Sequence, residues 1–128
     1  MTKEDVFKRI VGYTIRITRM IDHLPKEVTT EVISEQILRA AVSAGVNYRQ
    51  ASRSRLRKEF LNKMHLAGNG IDDTLFWFEY IETCEMIKPE KLSQLKKEGD
   101  ELLSVISAGI RSAKEDHRVT VRKPAVKP

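Results

Sequence analysis

Apolar residues in this chain recur at steps of three and four, the period of helices packed by one face. The first stripe, Phe7, Ile10, Thr14, Ile17, Met20/Ile21 and Leu24, predicts a helix over residues 3–24. Thr2 is its expected N-cap, with Asp5 three residues on, and Pro25 stops it because the residue before a proline is pushed out of the helical region. Thr29 or Thr30 is the expected cap of a second helix with the stripe Ile33, Ile37, Ala40, Ala44, Asn47 and Ala51. A third stripe, Phe60, Met64, Ala67, Ile71, Leu75, Phe78 and Ile81, keeps its phase across Gly68-Asn69-Gly70. A true turn would reset that phase, so one helix from about residue 54 to 87 is expected, weakened at glycines that cost about 1 kcal/mol each against alanine. Pro89 fits the first turn of a fourth helix, where its missing N–H does no harm. The inner face of that helix is Leu92, Leu95, Leu102, Ile106, Gly109/Ile110 and Ala113.

Short connections between such helices make neighbours antiparallel. The expected fold is therefore all-α, an antiparallel up-down-up-down four-helix bundle with a long third helix. At 1.5 Å per residue that helix would span roughly 50 Å and project beyond its neighbours. Residues 1–116 form the bundle in this reading. Residues 117–128, with two prolines and no periodicity, form a basic, flexible tail.

Length and composition agree with a single domain: 128 residues are enough for one core and short for two. No apolar run is long enough to span a membrane, and residues 1–10 contain acids and lack the apolar segment of a secretory signal. The single cysteine, Cys84, has no partner for an internal disulfide. A cytoplasmic location without membrane contact is expected.

Charge changes the picture more. The net charge is +5, unevenly spread. Residues 49–63 hold six bases against Glu59, and residues 111–128 hold six bases against Glu115 and Asp116. Residues 72–101 hold nine acids and four bases. A basic patch attracts nucleic acid and equally suits docking on an acidic surface of another copy. The candidate nucleic-acid contacts are Arg49, Arg53, Arg55, Arg57 and Lys58, because arginine forks match phosphate geometry. Tyr48 beside them offers a ring for stacking a base. Bases at the start of a helix oppose its dipole, a small cost that hints at use by RNA, DNA or a neighbouring subunit. Simple solvation of the charge run remains the bland alternative.

Catalytic chemistry finds little support. A di-metal bundle site needs Glu-x-x-His pairs, and none of His23, His65 and His117 has a glutamate three residues before it. Cys84 has no histidine nearby in sequence and reads as a small buried hydrophobe. The glycine pair lacks the Lys-Ser/Thr of a phosphate-binding loop. A non-enzymatic protein with no metal and no cofactor is expected.

Two further clusters stand out. Ser43 and Asn47 flank the second stripe and are expected to join Glu59, Lys63, Asp73 and Thr74 in a structural polar network that fixes helix register. A small polar binding site is the alternative. Leu75 to Phe78 together cover almost the whole circumference of their helix, so Phe76, Trp77 and Tyr80 are expected at an oligomer interface.

The segments Ser43-Ala44-Gly45-Val46-Asn47-Tyr48-Arg49, Arg53-Ser54-Arg55, Glu59-Phe60, Lys63 and Asp73-Thr74-Leu75-Phe76-Trp77-Phe78-Glu79 resemble the small four-helix-bundle proteins encoded within intervening sequences of bacterial 23S rRNA genes. The resemblance covers about residues 5–112, and the glycines at 68 and 70 depart from it, since helix formers are usual there. It implies an antiparallel bundle, homopentameric in several members. It also implies kinship with accessory proteins of diversity-generating retroelements, which bind nucleic acid and a reverse transcriptase. No catalytic residue carries over. The expected protein is thus an oligomer, a homopentamer, associated with nucleic acid. The alternative is a scaffold that binds only protein, such as a reverse transcriptase-like partner.

Overall fold

A computed structural model describes residues 1–126, with side chains described through Asp116. Four helices follow one another: α1 (Lys3–Ile21), α2 (Val28–Ser52), α3 (Arg57–Thr83) and α4 (Pro89–Val126). Each packs on its neighbours in chain order, and α4 closes back onto α1. The cross-helix pairs descend in register. Arg9 meets Glu98 and Glu101, whereas Lys3 shares a cleft with Ser112 and Ala113. Gly68 faces Ile106, and Leu75 faces Gly99. In these pairs α4 runs opposite to α1 and α3, and the four helices pack around one core as in a four-helix bundle.

Local chemistry sets the helix ends. At α1 the Thr2 hydroxyl accepts from the Asp5 amide and the Asp5 carboxylate accepts from the Thr2 amide, each at 3.0 Å. Those bonds hold the Asp5 carboxyl below its ordinary pKa. The helix closes before Pro25 through three-residue bonds from Asp22, His23 and Leu24 back to Arg19, Met20 and Ile21. At α2 the expected threonine caps do not form. Glu27 is the N-cap and makes no side-chain bond, while Thr30 is buried with its hydroxyl unpartnered.

The third helix differs from expectation in length. It runs unbroken through Gly68–Gly70, yet it is 27 residues long, and α4, with 38, is the longest element. Ser52 and Ser54 lie where α3 was expected to begin, and both bond backward instead. Their hydroxyls donate to Arg49 O at 2.9 Å and Gln50 O at 2.8 Å, closing the end of α2. At the other end the Met86 amide bonds Ile81 O and the Glu85 amide bonds Glu82 O, with Glu85 at φ 58°. That left-handed cap ends the helix without a glycine. α4 passes the expected boundary at residue 116 and is helical to Val126, Pro124 included. The side chains of the expected tail, 117–128, lie outside the described residues.

Most of the stripe residues read off the sequence are buried, Ile10, Ile17, Ile37, Ile71, Phe78 and Leu102 among them, and a few positions are exchanged for a neighbour. α1 buries Val6 and Tyr13 and leaves Phe7 and Thr14 half-buried; α2 buries Ala41 and Tyr48 rather than Ala40 and Asn47. Phe78 packs edge-on to Tyr13, ring centroids 6.4 Å apart. The Tyr13 hydroxyl is buried without a partner, and burial, with Asp100 and Glu98 nearby, raises its pKa. A Cβ on Gly99 would stand 2.7 Å from that hydroxyl.

The closest approach is between α2 and α3. A Cβ on Gly70 would lie 2.8 Å from both Ala40 O and Ala44 N. The glycine is therefore a contact surface: with no side chain it lets the two backbones touch, and Ala40 and Ala44 add little bulk opposite it.

Candidate nucleic-acid interface

The basic residues gather where α2 ends and α3 begins. Arg53 is the C-cap of α2 and Leu56 the extended N-cap of α3, so residues 53–56 make a tight corner at one end of the bundle. Arg49, Arg53, Arg55 and Lys58 are exposed. Arg57 is half-buried, its Nε donating to Ala113 O at 3.1 Å, which fastens the start of α3 to α4. Arg111 and Lys114 extend the basic surface along that part of α4.

Arg49 and Arg53 stand at the C-terminal end of α2, where cations are favourable; only Arg57 and Lys58 lie in the first turn of α3. Tyr48 is not a surface stacking platform. It is buried in the core, and burial raises its phenol pKa.

Ion pairs engage only some of the described cations. Lys8 pairs with Glu4, Arg39 with Glu35 and Lys96 with Glu82. Arg9 forks onto Glu98 and reaches Glu101 at 3.0 Å, joining α1 to α4. Among the described residues no carboxylate stands within ion-pair distance of Arg49, Arg53, Arg55 or Lys58.

The expected polar network contracts to bonds within single helices. Asn47 Nδ2 donates to Ser43 O at 2.9 Å and to Ser43 Oγ at 3.1 Å, and the buried Thr74 hydroxyl donates to Gly70 O at 2.8 Å. Glu59 and Asp73 are exposed and Lys63 is half-buried; no hydrogen bond among the described residues links them to Ser43 or Asn47. Asn47 lies at the edge of the buried stripe and Tyr48 takes the inward position, while Ile33, Ile37, Ala44 and Ala51 stay buried as expected.

Phe76, Trp77 and Tyr80 form one cluster on α3, with Trp77 5.2 Å from Phe76 and 5.4 Å from Tyr80 between ring centroids. Phe76 is 57% and Tyr80 41% exposed, far more than a core aromatic tolerates. A second apolar surface escapes the sequence reading: Val11, Ile15, Val42 and Val46 are all exposed along a groove between α1 and α2. Its signal was the i, i+4 spacing of Val11 with Ile15 and of Val42 with Val46, each offset from the core stripe. Cys84 is exposed rather than buried, because it is the C-cap of α3. His23 and His65 are exposed, and no cluster of three metal-ligating side chains occurs among the described residues. No helix among them is long and apolar enough to cross a membrane.

These features define a small all-α bundle with one basic end and two exposed apolar surfaces. The profile of the family described as 23S rRNA-intervening sequence protein matches residues 2–108, and the chain belongs to that family. It is similar in structure to a protein of unknown function from the S23 ribosomal protein family of Bacteroides thetaiotaomicron, known from a crystal structure at 1.70 Å resolution. The two share 27% identity at a TM-score of 0.79, over 87% of this chain and 99% of the other. No curated protein matches the sequence.

Proposed function

We propose that this protein is a non-enzymatic, self-associating bundle that binds nucleic acid through Arg49, Arg53, Arg55, Arg57 and Lys58. The observation that carries this reading is the gathering of four exposed cations, Arg49, Arg53, Arg55 and Lys58, on one corner of the bundle, with no carboxylate within ion-pair distance of them among the described residues. Cations left without internal carboxylates are available to phosphates, and binding them releases counterions. Contacts of this kind hold the backbone of RNA or DNA without reading its sequence.

Self-association draws support from the two exposed apolar surfaces. A cyclic assembly such as a homopentamer needs two different complementary faces on each copy. The Phe76–Trp77–Tyr80 cluster and the α1–α2 groove supply two. The same surfaces also favour the second reading, a scaffold for a protein partner such as a reverse transcriptase-like polymerase.

Fluorescence anisotropy with a labelled structured RNA and a matched DNA duplex separates the readings. The wild type is compared with an Arg53→Glu/Arg55→Glu/Lys58→Glu variant of unchanged mass. Loss of binding in the variant supports the phosphate-contact reading. Equal binding by both, or none by the wild type, directs the search to protein partners.

A further inference from the structure

Beside the basic corner the bundle end is hollow. An inner cavity of about 230 Å³ lies between α1, α2, α3 and α4, walled by Val6, Tyr48, Phe60, Met64 and Val105. Lys3, Phe60 and Gly109 also border an outer cleft of about 480 Å³, whose rim carries Arg55, Arg57 and Ser54. The two spaces therefore meet at the Phe60 ring, with the Lys3 ammonium 5.1 Å from the ring centroid.

The chemistry differs across that ring. The inner side is largely apolar, with three hydroxyl residues in its lining: Thr2 Oγ1 accepts from the Asp5 amide, Ser52 Oγ donates to Arg49 O, and the Tyr48 hydroxyl has no hydrogen bond among the described residues. The outer side is cationic, with Asp116 at its edge as the opposing charge. The inner cavity is smaller than the roughly 300–1,000 Å³ of drug-sized sites, which suits one ring rather than an extended molecule. A small, largely apolar compartment next to a cationic cleft matches a nucleobase joined to its phosphate. Aromatic rings stack bases of any sequence, and arginine forks take the phosphate.

We infer that this cavity and cleft hold one unpaired nucleotide of a bound strand, its base against Phe60 and its phosphate among Lys3, Arg55 and Arg57. The inference rests on the nucleic-acid reading above and sharpens it, because a duplex backbone would engage the corner and leave the cavity empty. Lys3 swings from the Phe60 ring to the phosphate as the base arrives.

The test compares a labelled short single-stranded RNA with a duplex of the same length. The single strand binds the wild type about fivefold tighter or more, the size of one base–aromatic stack. Phe60→Leu and the cavity-filling Ser52→Trp each remove that preference and leave duplex binding within about twofold. Thermal melting confirms that each variant is folded. A second readout needs no variant: the Met64 methyl NMR signal shifts with the single strand and stays in place with the duplex. Equal binding of both strands, equal weakening of both by the cavity variants, or an unmoved Met64 signal overturns the inference while the basic-corner reading stands. Absence of binding to either RNA overturns both.

Discussion

Helix α2 presents opposite constructions on its two flanks. Toward α3 it offers Ala40 and Ala44, and Gly70 comes so near that a single added methyl would strike backbone atoms at 2.8 Å. Toward α1, on the outside, it offers Val42 and Val46, which are about half exposed beside Val11 and Ile15. The small residues do structural work: they close a seam in which the backbones themselves touch. The larger, more apolar residues lie where a monomer gains least from them. On these two flanks small residues are buried or half-buried and larger ones exposed, while the core face of α2 buries Ile33, Ile37 and Tyr48. The bundle is held by close approach on one side and keeps apolar surface exposed on the other.

Substitutions at the seam should have the largest effect. Gly70→Val puts two methyl-bearing branches against Ala40 O and Ala44 N, and backbone cannot give way as a flexible side chain does. A stability loss of about 3 kcal/mol or more is expected, at the upper end of overpacking costs, read from urea unfolding. A cost below about 1 kcal/mol would show that the seam is looser than the contact distances indicate.

On the other flank, Val42→Glu/Val46→Glu should change stability by no more than about 0.5 kcal/mol per site, as is usual for exposed positions. The same variant should reduce the mass in sedimentation toward that of a monomer if the groove is an assembly surface. A large loss of stability at unchanged mass would break the contrast between the flanks.

A small effect of opposite sign is expected within the core, at Tyr13. Its hydroxyl is buried and unpartnered against Gly99, so Tyr13→Phe removes a desolvated polar group without opening a cavity. Thermal melting should show unchanged stability or a gain of up to about 1 kcal/mol. A clear loss would mean that the hydroxyl makes a bond in solution.

Much of this architecture is legible in the chain because its causes are local. The Thr2–Asp5 capping box involves residues three apart, and Pro25 and Pro89 act on their own neighbourhoods. The continuous phase from Phe60 to Ile81 correctly outweighed two glycines. The misreadings arise where a distant element decides. A 3.6-residue period leaves adjacent positions almost equivalent, so Val6 against Phe7 and Tyr48 against Asn47 are chosen by packing. Ser52 and Ser54 suit the start of one helix as well as the end of another, and their bonds to Arg49 O and Gln50 O settle the matter only in three dimensions. The basic corner was visible as a run of arginines. Its fastening through Arg57 to Ala113 O joins residues 56 positions apart, which no local pattern encodes. For the same reason the hollow beside Phe60, built from all four helices, left no trace in the sequence.

The most direct measurement is the salt dependence of RNA binding by the wild-type protein. If Arg49, Arg53, Arg55, Arg57 and Lys58 each neutralise a phosphate, the logarithm of affinity should fall against the logarithm of salt concentration with a slope of about −3.5 on single strands and about −4.5 on duplex. A slope near zero, or no binding at low salt, would contradict the phosphate-contact reading and leave the basic corner as a solvated or protein-binding surface.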